Sequence, residues 1–239
     1  LTEDLLTRAF GYPYPVPDTS NYLFKQGAAH VLPSDFTPGD RLPVLAIGSN
    51  RSPEQLLRKY GTRHCIPVTE IALSDVDVGF CAYLTHYGSM PATLMHAPDT
   101  RATIKITWLS PAQLSLMHQT ESVGPHTLFG TLPIGEMTVA GQTYRRAYTY
   151  VSARGLYPVQ GSVRALVDIP AQRRQFIAFG QRQMLNTVWQ AHGNDTLEAW
   201  LTRVINTPAL RHAINDAMSE YAVYALPDGF ESVDPESVL

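Results

Sequence analysis

Short apolar runs broken by Gly and Pro fill the middle of the chain. Between Pro43 and Leu166 the runs VLAI (44–47), IPVTEIAL (66–73), VDVGFCAYL (76–84), MPATLM (90–95), ATIKITWL (102–109), HTLFGTLPI (126–134) and YRRAYTYVS (144–152) have strand length and strand alternation. Alternation with turn residues between the runs predicts a small, mostly antiparallel sheet or barrel. Two helices interrupt it. One follows Ser52, where Ser52-Pro53-Glu54-Gln55 offers a cap, a Pro at the first helical position and a Gln that can reach back. The other runs from Pro111 to about Thr120 and opens on the same pattern, Ser110-Pro111-Ala112-Gln113.

The period changes towards the carboxyl end. From Pro170 to Gly193, Phe176, Ile177, Met184, Leu185, Val188 and Trp189 fall at helical spacing. A second helix opens at Asp195 with Glu198 three residues on, and a third at Thr207-Pro208 aligns Leu210, Ile214, Met218 and Tyr221. Residues 11–40 keep neither period, yet Tyr12, Tyr14, Tyr22, Leu23 and Phe24 are costly to leave in water, so an ordered arm on the surface is expected. The organisation is α+β: an N-terminal arm over 1–40, a barrel domain over 41–168, and a helical extension over 169–239 packed on the barrel.

Composition narrows the partners. With 239 residues, 44% hydrophobic and 16% charged, the chain can bury a sizeable core. A formal net charge of -3 with no run of like charge favours neither a nucleic-acid backbone nor an anionic membrane, which leaves a small-molecule substrate. No apolar run approaches the roughly 20 residues that span a bilayer, and no basic-then-apolar leader is visible at the amino end, so a cytoplasmic location is expected. Cys65 and Cys81 lack the spacing of a zinc or redox motif and read as reduced core residues.

Candidate chemistry begins at the junction VLAIGSNRSP (44–53), a buried strand running straight into a helix. Gly48, Ser49 and Asn50 serve any sharp turn, because Gly and Asn tolerate positive φ and Ser bonds its own backbone. The same trio also suits an anion pocket, where a helix N-terminus presents free N–H groups and small residues admit a ligand to the backbone. Arg51, next in sequence, has the charge to meet a substrate carboxylate. Other chemistries fit less well. His64, His86, His96, His118 and His126 are scattered, without HxH or HExxH, so no metal site is expected. Ser49 sits where a nucleophile would, but AIGSNR is not GxSxG, and the turn lacks the Lys of a phosphate loop.

Glu121 closes the second helix. From Gln113 to Val123 the run holds Leu114, Leu116, Met117 and Val123 and no other formal charge. A carboxylate in apolar surroundings has its pKa raised towards the range in which a general base works near neutrality.

In three places, and in order, the chain resembles the γ-glutamylcyclotransferase-like family: Ile47-Gly48-Ser49-Asn50 after the first barrel strand, Pro91-Ala92-Thr93-Leu94 leading to Thr107-Trp108-Leu109, and Glu121-Ser122-Val123. The resemblance covers about residues 43–151, roughly half the chain. It implies a small α+β barrel in which the backbone of Gly48, Ser49 and Asn50 holds the substrate's carboxylate end and Glu121 is the acid/base. There are three departures. Ile47 stands where the family has an aromatic residue, Met117 where it often has Asp, and Ser122 where Gly is common; Ile47 changes one pocket wall. The implied activity is cleavage of a γ-glutamyl amine or related amide, giving 5-oxoproline and a free amine, without metal or organic cofactor. A non-catalytic module that binds a carboxylated metabolite or docks a partner, and an amide hydrolase, are the alternatives.

Overall fold

The computed structural model describes residues 2–121, 123–124 and 126–239. Ser122 of the Glu-Ser-Val motif lies outside the described residues. In chain order, α1 (Thr2–Gly11) precedes β1 (Tyr22–Lys25), β2 (Ala28–His30) and β3 (Leu42–Ala46), and α2 (Pro53–Tyr60) precedes β4 (Cys65–Phe80) and β5 (Ala92–Leu109). Next come α3 (Pro111–Thr120), β6 (Thr127–Val139) and β7 (Gln142–Ser152), then several two-residue strands and α4 (Gln181–His192), α5 (Leu197–Asn206) and α6 (Pro208–Glu220).

The fold is mixed α+β, with six α-helices among the described residues around one large sheet. Its spine is β4-β5-β3-β7-β6, antiparallel except for the β3–β7 pair. The path ends at Ala178–Phe179 on one side and Glu231–Ser232 on the other, so the sheet is open and the expected barrel closure is not seen. Apolar runs that looked like separate strands join into long ones. The two from Ile66 to Phe80 are both β4, interrupted by a bulge between Ser74 and Val76. At that bulge Asp75 and Asp99 both take positive φ, and the Asp99 N–H donates to Asp75 Oδ1 at 2.8 Å, so the polar break turns the hairpin without ending it.

The arm is fastened to the sheet more deeply than a surface wrap. β1 pairs with the first residues of β4, and Tyr22 and Phe24 are almost wholly buried. Lys105, paired with Glu70, donates to the carbonyls of Thr19 and Ser20 at 2.9 and 2.8 Å. Ser52 joins in: its hydroxyl donates to the Pro15 carbonyl at 2.7 Å and makes no capping bond to α2, contrary to expectation. Ser110 and Gln113 do form the expected reciprocal cap on α3.

Helix formation after Ile169 starts later than the spacing suggests. Residues 170–180 form two edge strands, Ala171–Gln172 on β5 and Ala178–Phe179 on Ala165–Leu166, and Ile177 is exposed. Pro170 and Gly180 bracket this segment, and Arg174 anchors it, with Nε and Nη2 on the Asp77 carboxylate at 2.8 and 3.0 Å. Beyond it, α4, α5 and α6 bury Met184, Leu185, Val188, Trp200, Leu201 and Met218 in the core that also holds Trp108. Among the described residues no helix is long and apolar enough to cross a membrane.

Candidate functional site

β3 delivers the turn. Leu45, Ala46 and Ile47 are buried, Ser49–Arg51 make one 3-10 turn, and α2 follows at Pro53. Gly48 has φ -127°, so the left-handed conformation is not what requires a glycine there. Space is. A Cβ at Gly48 would lie 2.2 Å from the Tyr12 hydroxyl oxygen and 3.3 Å from the Ala92 Cβ. That hydroxyl accepts the Ala92 N–H at 2.7 Å, so an aromatic residue from the arm is wedged against the turn on its sheet side. Burial holds the Tyr12 phenol well above its ordinary pKa, and it stays protonated.

α3 brings Glu121 to the same place. Its capping box fixes where the helix begins, and Glu121 is the residue that ends it. Glu121 Oε1 accepts the side-chain N–H of Asn50 at 2.8 Å and is ion-paired with the Lys59 ammonium. These are not the apolar surroundings that the sequence suggested: the carboxylate meets an amide and a cation, the latter only 7% exposed. Both donors use Oε1; among the described residues nothing hydrogen-bonds Oε2. Asn50 Oδ1 is likewise buried without a partner.

Both elements face one cavity of about 910 Å³, whose wall includes Ile47, Gly48, Ser49, Asn50 and Glu121. Arg51 does not line it. The residue is 6% exposed, its carbonyl accepts the Tyr22 hydroxyl at 2.7 Å, and burial lowers its pKa. Adjacency in sequence misleads here, because the 3-10 turn sends consecutive side chains to different faces. Other lining groups bear on mechanism. Burial pushes the Cys81 thiol up to about 12, which keeps it from acting as a thiolate nucleophile at neutral pH. Ser49 Oγ has no histidine or carboxylate hydrogen-bonded to it among the described residues, so it lacks the base a serine nucleophile needs. Tyr150 is hydrogen-bonded to His118 Nδ1 at 2.8 Å, and burial followed by the charge of Glu121 raises its pKa.

Sequence reasoning missed Lys59 and Tyr12. A signal existed for the first: Gln55 and Lys59 stand four apart on α2, share a helix face, and both line the cavity. For Tyr12 there was none, since its contact with Gly48 spans a non-periodic arm.

No family model matches the sequence, and no curated protein matches it. Among solved structures, a gamma-glutamyl cyclotransferase is similar with a TM-score of 0.38 and 11% identity, covering 83% of this chain and 95% of that one. An uncharacterized protein from Homo sapiens is similar with a TM-score of 0.39 and 11% identity, covering 83% and 96%. YkqA from Bacillus subtilis gives 0.34 and 11%, over 70% of this chain and 55% of its own. The first bears the name of the family that the sequence motifs resemble.

Proposed function

We propose that the protein cleaves a γ-glutamyl amine, or a closely related amide, by intramolecular cyclisation, with Glu121 as the acid/base. What carries the reading is the bond from Asn50 to the Glu121 carboxylate, which ties the acid to the small-residue turn on the wall of one cavity. The resemblance of the sequence motifs supports the same assignment. In this reading the backbone at Gly48, Ser49 and Asn50 receives the α-carboxylate of the substrate, while Glu121 Oε2 receives the α-ammonium. Glu121 accepts one ammonium proton. The freed nitrogen forms a bond to the γ-carbonyl carbon, and Glu121 gives its proton to the departing nitrogen as the bond from that carbon breaks; Glu121 then takes the second proton from the ring nitrogen and passes it to the released amine, which leaves as an ammonium. Atoms balance without water, giving 5-oxoproline and one amine. Five-ring closure needs little beyond orientation, which the turn and the acid together supply. Lys59 holds Glu121 in place.

The test is turnover of a panel of γ-glutamyl amines by wild type and Glu121→Gln. The variant keeps shape and hydrogen bonding but carries no proton, so turnover should fall about 10² to 10⁴-fold with binding retained. Saturable binding with no turnover of any panel member would leave the non-catalytic binding module as the function.

A further inference from the structure

The cavity is more basic than the molecule around it. Its lining carries Arg8, Arg58, Lys59, Arg154 and Arg211 against the carboxylates Glu121 and Asp216, in a chain whose net charge is -3. Three of those cations are matched: Lys59 by Glu121, Arg58 by Glu54, and Arg154 by Asp216 at 3.6 Å. Neither Arg8 nor Arg211 pairs with Glu121 or Asp216, the carboxylates of the lining.

Both are held in position by contacts with neighbouring elements. The Arg8 guanidinium lies 3.9 Å from the centre of the Tyr87 ring, and its Nε donates to the Tyr14 hydroxyl over a long 3.4 Å. Arg211 Nη1 donates to the carbonyls of Val204 and Ile205, each at 3.2 Å, at the end of α5. One turn further along α6, the buried Asn215 clamps that helix to the β4–β5 connection. It accepts the Leu84 N–H at 2.7 Å and donates to the Leu84 carbonyl at 3.0 Å. Residues 211 and 215 share a helix face, so the clamp turns Arg211 to the cavity.

From this geometry we infer a second subsite, formed by Arg8 and Arg211, for a dianionic group on the departing amine: a phosphate monoester or a dicarboxylate. Two guanidinium forks on one concave wall match two charges and several acceptor oxygens, and their mutual repulsion is relieved when the dianion enters. The placement of that group on the departing amine rests on the cyclotransferase reading, since the turn and Glu121 take the γ-glutamyl end; the existence of the subsite does not. The cavity has room for both ends of such a molecule. Arg8 lies on Tyr87, and Gly88, next in sequence, packs against Ile205, whose carbonyl Arg211 holds, so both arginines flank the same β4–β5 connection.

The experiment has two arms. In the first, binding of O-phosphoethanolamine, aspartate and ethanolamine is measured by calorimetry on wild type, Arg8→Gln and Arg211→Gln, with a thermal melt of each variant. One or both dianionic amines should bind at least about tenfold tighter than ethanolamine, and Arg8→Gln should remove most of that preference. Arg211 also braces α5, so if Arg211→Gln melts early, Arg8→Gln and Arg8→Lys decide; Lys should restore part of the preference. In the second arm, kcat/KM is compared for the γ-glutamyl amides of O-phosphoethanolamine, aspartate and propylamine. Charged tails should be preferred, with the ratio falling in Arg8→Gln. Equal binding of the three amines, or a preference that Arg8→Gln leaves intact, overturns the subsite even if all three amides are turned over. Arg8-dependent binding with no turnover of any amide keeps the subsite and removes the cyclotransferase reading.

Discussion

The wall that carries Glu121 and the wall that carries Arg8 are built in different ways. On the first, every polar group is fixed by regular structure: β3 ends at the turn, α3 is started by a reciprocal cap, and Lys59 reaches from the last turn of α2. On the second, α1, the β4–β5 connection and α6 are held together by an aromatic ring under a guanidinium and by one buried Asn. The first wall can hold an acid to within the tolerance that proton transfer needs. The second, two of whose three segments, α1 and α6, lie outside residues 43–151, is where partner choice can change without disturbing the acid.

The largest expected effect comes from loosening the second wall from the first. Asp77 is fully buried and paired with Arg174 on the segment that leads to α4. Asp77→Leu leaves Arg174 without its partner and should cost about 3–5 kcal/mol in urea unfolding. A loss under about 1 kcal/mol would mean that the pair does not fasten the helices. Within the first wall, Lys59→Met should fold normally and lose turnover about tenfold to a hundredfold, the worth of one charge-assisted hydrogen bond to the acid. Unchanged kcat would show Lys59 to be a bystander.

The arm and the turn can be tested as a pair. Gly48→Ala drives a methyl group into the Tyr12 hydroxyl and should cost about 1–3 kcal/mol. In a Tyr12→Phe background that cost should shrink, because the clashing oxygen is gone. A double-mutant cycle with no coupling would refute the wedge. The smallest effect is on pH. His86, His118, His126 and His192 all have pKa values lowered, in each case chiefly by burial. The unfolded chain takes up these protons near pH 6.5 while the folded one does not, so the contribution is full above about pH 6.5 and is lost as pH falls through the folded values. The melting temperature should drop by a few degrees between about pH 7.5 and 5.5. A flat profile would contradict it.

Much of this was legible in the sequence, for identifiable reasons. Strand runs, the α3 cap and the three C-terminal helices are local patterns, and a local pattern suffices to specify them. Glu121 and the Gly48–Asn50 turn could be singled out as candidates because strand-to-helix and helix-end positions are readable one at a time. Their meeting was not readable, nor was the ion pair from Lys59, because residues 50, 59 and 121 are brought together only by the packing of α2 against α3. The helix expected from Pro170 gave way to edge strands because a tertiary partner, Asp77, outweighs an accidental period. Closure into a barrel failed as an expectation because strand alternation specifies two faces but not whether the edges meet.

The central claim is that Glu121 moves a proton in a ring closure that uses no water. Wild type and Glu121→Gln should be incubated with γ-glutamyl amides in ¹⁸O-enriched water and the products weighed by mass spectrometry. The account predicts equal amounts of free amine and unlabelled 5-oxoproline from wild type, and about 10² to 10⁴-fold less of both from Glu121→Gln. Glutamate carrying one ¹⁸O would show hydrolysis, and product formation untouched in Glu121→Gln would contradict the role given to that residue.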